Sequence, residues 1–383
     1  MYNNIVMRDD VISNNIKPTI NNHFVNGAYL EVLSPIENDF RLEFWDSNDN
    51  CEFRTTIKSN SWAKTNKKYF EEYTCKVYHN NNLIYDKKYN PRGKRVYIGL
   101  DSKSLGDTLA WFPYVDEFRK KWNCEMICST FWNDLFEKQY PNIKFVNPGS
   151  NVNDLYAMYN IGWYYADNNI DYTRNPQDFK KISLQQTATD ILGLDFKHVK
   201  AKLDLPNVKK KKKIGIGLHS TAQAKYWNNP TGWQEVTDYL IKHGYEVVIL
   251  SKENDGYMGN THPIGSTKFP SGSITDLIEE MLSCDFFIGI GSGLSWLAWT
   301  LNLPIILISG FSTPVAEFDG EDVYRIFNDS VCNGCFNRLR LDAGDWNWCP
   351  DHKGTKRQFE CTKSITFNMV ERYLEEIIKN NED

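Results

Sequence analysis

The sequence is poor in several features that would each assign it to a simple class. Cysteine is sparse, at nine in 383 residues. That is too few for a disulfide scaffold, and the odd count argues against a fully paired secreted protein. Neither charge dominates: 44 Lys+Arg stand against 49 Asp+Glu, a net charge of -5. A mildly acidic chain lacks the general attraction for phosphate expected of a nucleic-acid binder, so no nucleic acid is expected as partner. The segment Met1-Tyr2-Asn3-Asn4-Ile5-Val6 has no basic stretch leading into an apolar one, so no signal peptide is expected. Residues 286–316 carry no charge and are long enough on paper to span a bilayer. They are broken by Gly289, Gly291, Gly293, Asn302, Pro304, Gly310 and Pro314, which suits strand–loop–helix–strand better than one helix. The expectation is a cytoplasmic protein without a membrane span.

What is present is a core. Hydrophobic residues make up 41% and aromatics 14%, which excludes disorder as the main state. At about 150 residues per domain, the length suggests two or three domains.

Residues 1–94 are rich in Asn, Tyr and Phe. Short alternating runs such as Arg41-Leu42-Glu43-Phe44-Trp45 and Glu72-Tyr73-Thr74-Cys75-Lys76-Val77-Tyr78 are separated by the turn clusters 46–50 and 79–82. Period-two patterning between such clusters predicts a small all-β domain. From Lys94 the texture changes. Val96-Tyr97-Ile98-Gly99-Leu100 reads as a buried strand, followed by a polar loop, a helical pattern from Thr108 to Trp122 and a strand at Met126-Ile127-Cys128. That β-α-β pattern recurs from Ile214 to Leu250 and from Phe286 to Ile308. Two doubly wound α/β domains facing a cleft are therefore expected, over 95–207 and 208–328. A cysteine segment (329–365) and a C-terminal helix (366–383) would follow. The lysine run Lys209 to Lys213 has no interleaved aromatics and reads as a solvated interdomain linker.

Ligands of open α/β sheets bind beyond the carboxyl ends of the strands, and three loops there carry chemistry. The first, Ser102-Lys103-Ser104-Leu105-Gly106-Asp107-Thr108, places Asp107 at a helix start. Spacing alone favours a helix cap there over a catalytic base. The second, His219 to Trp227, offers hydroxyls at Ser220 and Thr221, an amide at Gln223, and Lys225 as a point charge for a diphosphate. Tyr226 or Trp227 would stack on a base. An ordinary surface loop with a core tryptophan fits the pattern equally well. The third, Gly289-Ile290-Gly291-Ser292-Gly293-Leu294, lets backbone N–H groups approach phosphate at a helix start. It lacks the true phosphate-binding fingerprints, and glycines that merely permit close packing explain it somewhat better.

Cys332-Asn333-Gly334-Cys335, with Cys349 and Cys361 downstream, can close a tetrahedral all-sulfur site with no open position, hence a structural metal. Zinc is the default for such a set, and rubredoxin-like iron also suits it. Buried thiols or a disulfide remain the plain alternative. His352 nearby is expected on the surface, and the other five cysteines read as core thiols.

Taken together, the loops and the cysteine tail resemble the ADP-heptose-dependent heptosyltransferases, above all the bacterial autotransporter O-heptosyltransferases. The likeness extends over nearly the whole chain and includes Phe24-Val25-Asn26-Gly27-Ala28, the stretches 102–111 and 219–227, and Gly291 to Leu297. It implies a GT-B fold, with the donor in the C-terminal Rossmann-like domain and the acceptor at the N-terminal half. It implies Asp107 as general base, Lys225 on donor phosphate and Glu253 on the ribose, with Gly291, Ser292, Gly293 and Leu294 completing the donor loop. It tips the metal towards structural ferric iron, with zinc as the alternative, and suggests a homo-oligomer in the form of a large ring. One departure stands out. Lipopolysaccharide heptosyltransferases usually have Asp-Ser-Gly and then a His in the third loop, where this chain has Gly291 and Trp296. That favours a protein acceptor. The implied activity is inverting transfer of heptose from ADP-heptose to serine hydroxyls of an autotransporter passenger protein. No Asp-x-Asp pair stands at a strand end to hold a catalytic divalent ion, so protein groups are expected to meet the leaving charge. The rival readings are a non-catalytic sugar-nucleotide-binding or assembly module, and a glycosyltransferase with another donor or a glycan acceptor.

Overall fold

The computed structural model describes residues 17–270, 272–340 and 348–382. It forms two compact units, divided between Asn90 and Pro91.

In the first unit every described regular element is a strand. β1 (Thr19–Val25), β2 (Tyr29–Leu33), β3 (Asp39–Trp45), β4 (Cys51–Lys58), β5 (Ser61–Lys64), β6 (Thr74–His79) and β7 (Asn82–Lys88) follow one another. β1, β2 and β5 pair antiparallel, and a second antiparallel sheet runs β4-β3-β6-β7. Alternation sets the core: Phe40, Leu42 and Phe44 of β3 and Cys75 and Val77 of β6 are buried. The turns use the expected chemistry. Asp46 accepts from the backbone N–H of Asn48 and Asn50 at 2.9 and 2.8 Å. Asn80 and Asn81 take φ of 49° and 61°, the left-handed pair that closes a two-residue hairpin.

The second unit holds two parallel sheets. The first contains β8 (Arg95–Leu100), β9 (Glu125–Ser129), β10 (Ile143–Val146) and β11 (Ala157–Ile161) in the order β10-β9-β8-β11. Its helices are α1 (Leu105–Trp111), α2 (Pro113–Trp122) and α3 (Leu184–Leu192), with a small hairpin of β12 (Tyr165–Ala166) and β13 (Asn169–Ile170) between β11 and α3. The second sheet contains β14 (Lys213–Gly217), β15 (Glu246–Ile249), β16 (Thr267–Lys268), β17 (Phe286–Ile290), β18 (Ile305–Ile308) and β19 (Val323–Ile326) in the order β16-β15-β14-β17-β18-β19. α4 (Gly232–Lys242), α5 (Ile274–Ser283) and α6 (Gly293–Thr300) lie between its strands. β14, β17 and β18 are buried throughout, as strands covered on both faces must be. The charge-free stretch from 286 folds as β17, α6 and β18, and no described helix is long and apolar enough to cross a membrane.

The lysine run departs from the expected solvated linker. Lys213 opens β14, is 6% exposed and pairs with Glu280 at 2.6 Å, while Lys210 donates to the Cys284 carbonyl. After β19 come α7 (Cys335–Arg338), α8 (Glu360–Lys363) and α9 (Phe367–Glu382). α9 places Val370, Leu374, Ile377 and Ile378 on the core of the second sheet, the spacing of one helical face.

Strand order turns around between β14 and β17 and between β8 and β11. Open α/β sheets bind ligands at such switch points, beyond the strands' carboxyl ends. The loops after β8, β14 and β17 therefore converge.

Candidate functional site

α1 and α6 meet end to end because glycine allows it. A Cβ on Gly293 would lie 3.2 Å from the Gly106 nitrogen, and one on Gly106 would lie 3.0 Å from the Trp296 ring. Close packing, the plainer reading of these glycines, is thus part of their role. It brings the first and third loops onto one cleft of about 1020 Å³, at the large end for a small-molecule site.

Asp107 lines this cleft, but it is not the helix cap. Ser104 is, its Oγ accepting from the Asp107 backbone N–H at 3.5 Å. Asp107 is the third helical residue, which leaves its carboxylate to receive a 2.6 Å hydrogen bond from Ser102 Oγ. Burial raises the carboxyl above its ordinary range, against the opposing pull of Ser102, Lys225 and Ser104. Across the cleft, burial lowers the Lys225 ammonium below the usual lysine range, while Glu317 and Asp107 act against that. A half-buried carboxyl and a half-buried ammonium are thus close enough to act on each other's charge.

Ser220 and Thr221 line the same cleft, and Ser220 Oγ donates to the Gly291 carbonyl at 3.3 Å. Gly291, Ser292, Gly293 and Leu294 line it too. A Cβ on Gly291 would meet Glu317 Oε1 at 2.7 Å, and the buried Ser292 hydroxyl has no hydrogen-bond partner among the described residues. Glu253, just past β15, completes this wall.

Two expected residues point elsewhere. Trp227 is 1% exposed, donates its indole N–H to the Ile365 carbonyl at 2.9 Å and meets Trp233 edge to face. It is a core residue, and Tyr226 is equally buried, so neither ring is free to stack on a base. The Gln223 side chain donates to the Met258 carbonyl at 3.3 Å, which ties two loops together.

The four cysteines 332, 335, 349 and 361 are free thiols. Burial is the main reason that the thiols of Cys335 and Cys361 are pushed up to about 12 and that of Cys332 to about 11, and neighbouring cysteines add to each shift. Reduced thiols that act on one another's charge are a donor set that fits a soft or borderline metal. The tightest possible ligand group among the described residues is Cys332, His352 and Glu360, whose donor atoms lie within 4.8 Å of one another. His352 is half-buried and 3.6 Å from Glu360, not out on the surface. The segment Asp345-Trp346-Asn347, beside Trp348, lies outside the described residues.

A model of glycosyltransferase family 9 (heptosyltransferase) matches residues 167–318. The autotransporter heptosyltransferase BAHTCr of Citrobacter rodentium is 37% identical over 325 residues, which is 82% of this chain and 78% of that protein. The chain belongs to the autotransporter heptosyltransferases. The crystal structure of the iron-containing dodecameric glycosyltransferase TibC from enterotoxigenic E. coli H10407 matches with a TM-score of 0.85 at 34% identity, covering 94% of this chain and 96% of that one. TibC has also been solved with ADP-D-beta-D-heptose, and that structure matches equally well at 33% identity. A more distant member is described as inactive: BimC of Burkholderia thailandensis, 27% identical over 81% of this chain and 75% of that protein.

Within this family's cleft, sequence reasoning missed several residues. Glu317 accepts from Ser312 Oγ and faces Lys225, yet nothing in its surroundings in the sequence marks it. Trp163 and Phe336 form an aromatic wall, their rings 5.2 Å apart. His219 heads the second loop, and its position there was the available signal.

Proposed function

We propose that this chain transfers heptose from ADP-heptose to serine hydroxyls of an autotransporter passenger protein, with inversion at the anomeric carbon. The observation that carries the reading is the pairing of Asp107 and Lys225 across one cleft. As the serine oxygen attacks, its proton passes to the Asp107 carboxylate, whose position Ser102 holds and whose raised basicity suits a general base. The bond from the anomeric carbon to the diphosphate oxygen breaks on the opposite side, which inverts the centre. Charge gathering on the leaving ADP meets the Lys225 ammonium, the hydroxyls of Ser220 and Thr221 and the amides of Gly291 to Leu294. Glu253 takes the ribose.

The four thiols would hold a structural metal, with ferric iron favoured over zinc because TibC is an iron-containing relative. Bound, such a metal would cross-link Cys332, Cys335, Cys349 and Cys361, and its contribution would be folding free energy rather than chemistry. We place the chain in the cytoplasm as a homo-oligomer, and the same relative's dodecameric form supports a large ring.

The deciding experiment mixes the full chain with ADP-heptose and a serine-rich passenger and weighs the passenger by mass spectrometry. Heptose-sized mass increments on serine are expected. Donor binding without transfer would favour the non-catalytic reading, which the inactive relative BimC keeps in view.

A further inference from the structure

His219 is 3% exposed, and neither of its ring nitrogens has a hydrogen-bond partner among the described residues. Leaving a buried polar group unmatched costs about 1–3 kcal/mol, so such a group in a ligand cleft calls for a reason. The loop backbone is well anchored, since the N–H groups of Leu218 and His219 both approach Ser251 Oγ, at 2.9 and 3.3 Å. The imidazole is held edge-on between Tyr226 and Tyr257, at 5.5 and 5.8 Å between ring centres, with His262 at 6.2 Å. Burial lowers its pKa, with Glu253 opposing and with His262 and Lys268 adding to the shift. At neutral pH the ring therefore carries one N–H and no charge.

The Glu253 carboxylate stands beside it, with Oε2 at 3.9 Å from Nδ1. That gap exceeds a hydrogen bond by about 1 Å. Glu253 is half-buried on the cleft wall and has no other side-chain hydrogen bond within the described structure. The Glu253 backbone is held, its carbonyl accepting from Lys268 Nζ at 2.7 Å. Closing the gap therefore falls to a rotation of the Glu253 side chain. The carboxylate would then accept the imidazole N–H on one side and keep its remaining lone pairs for the cleft.

We infer that His219 is a positioning residue: it fixes the Glu253 carboxylate so that Glu253 can accept hydrogen bonds from the vicinal diol of a ribonucleoside diphosphate. A carboxylate is acceptor-only, and a diol supplies two donors in the spacing of its two oxygens. The inference rests on the donor reading above and adds to it the residue that makes Glu253 selective for ribose.

The test is calorimetric titration of the full chain with ADP and with 2′-deoxy-ADP, for wild type, His219→Phe, His219→Gln, Glu253→Gln and the double variant. Wild type should prefer ADP by about tenfold, the worth of one hydrogen bond to a charged group. His219→Phe should bring the two affinities within about threefold by weakening ADP alone, and His219→Gln, which retains an N–H donor, should recover part of the preference. In the double variant the loss should not exceed that of Glu253→Gln, since the two residues act as one unit. His219→Phe should also melt no lower than wild type, because it removes an unmatched buried polar group. An unchanged preference in His219→Phe would overturn the inference, as would equal weakening of both nucleotides, the mark of a merely structural histidine. Preference for ADP over inosine diphosphate that vanishes with His219 would move the contact to the base and overturn it too. If wild type bound no ADP at all, the donor reading itself would fall.

Discussion

At Asp107 folding and the proposed base role make opposed demands on one carboxyl group. Burial raises it, and a group raised in the folded state adds most to stability below its unfolded value and loses that contribution as pH rises through the folded one. At neutral pH the ionised form therefore weighs against folding, although the proposed base must be ionised to act. Asp107→Asn should melt no lower than wild type and still bind donor, yet transfer about 10²–10⁴ more slowly, the usual worth of a general base. Near-normal turnover would remove Asp107 from the role. In wild type, kcat/KM should fall with acid through a value above the ordinary carboxylate range, and that limb should vanish in the Asn variant. Lys225 is shifted the other way, so donor binding should weaken as pH rises through a value below the usual lysine range. Lys225→Ala should weaken ADP-heptose binding about tenfold or more by calorimetry, and unchanged affinity would refute the phosphate contact. Residue type and loop position made Asp107 and Lys225 candidates in the sequence, and the family resemblance alone raised the first from cap to base; the structure places both on one cleft. Trp227 was not legible, because an aromatic after such a loop suits a base stack and a core equally. Only the fold shows its indole bound to the Ile365 carbonyl.

At the scale of elements, the cleft depends on two helix starts touching. The glycine-rich third loop could be read as a phosphate cradle or as a packing device, and in the structure Gly293 serves the second while lining the space that would hold the first. Gly293→Ala places a methyl group 3.2 Å from the Gly106 nitrogen and 3.3 Å from Leu105 Cβ. Backbone cannot yield as a side chain end can, so α1 and α6 must separate at a cost of about 1–3 kcal/mol. The expected signature is a modest drop in melting temperature with a much larger loss of transfer, because Asp107 moves with α1. Thermal unfolding beside steady-state kinetics distinguishes this from simple misfolding, and unimpaired transfer would show that the contact does not set the cleft. The fully buried strands β14, β17 and β18 were legible as apolar runs. The two-residue strands β12, β13 and β16 were not, since pairs that short carry no period to detect.

Across the whole molecule, repeated β-α-β texture was enough to expect two α/β blocks with a cleft between them. How the cysteine segment relates to that cleft was beyond the pattern, because contacts between distant segments leave no local period. A segment with no open metal position was expected to act on solubility and assembly ahead of chemistry. The structure places it against the site. Phe336, next to Cys335, lines the cleft beside Trp163. Asn337 accepts from the Thr313 N–H at 2.8 Å and donates to the Lys180 carbonyl, so it ties the two sheets' segments together. Cys335 and Cys349 pack with Ala222 and Ala224, which start and lie within the turn carrying Lys225. A metal on the four thiols would therefore brace the Lys225 loop and the aromatic wall at once. Purified protein should carry one metal per chain by elemental analysis, red through thiolate-to-iron charge transfer if ferric and colourless if zinc. Cys335→Ser should lose that metal and, with it, both assembly by sedimentation and donor affinity by calorimetry, since Lys225 loses its backing. Loss of assembly alone, with donor affinity intact, would return the segment to a purely architectural role. Metal-free protein that stays assembled and active would make the four cysteines ordinary core thiols.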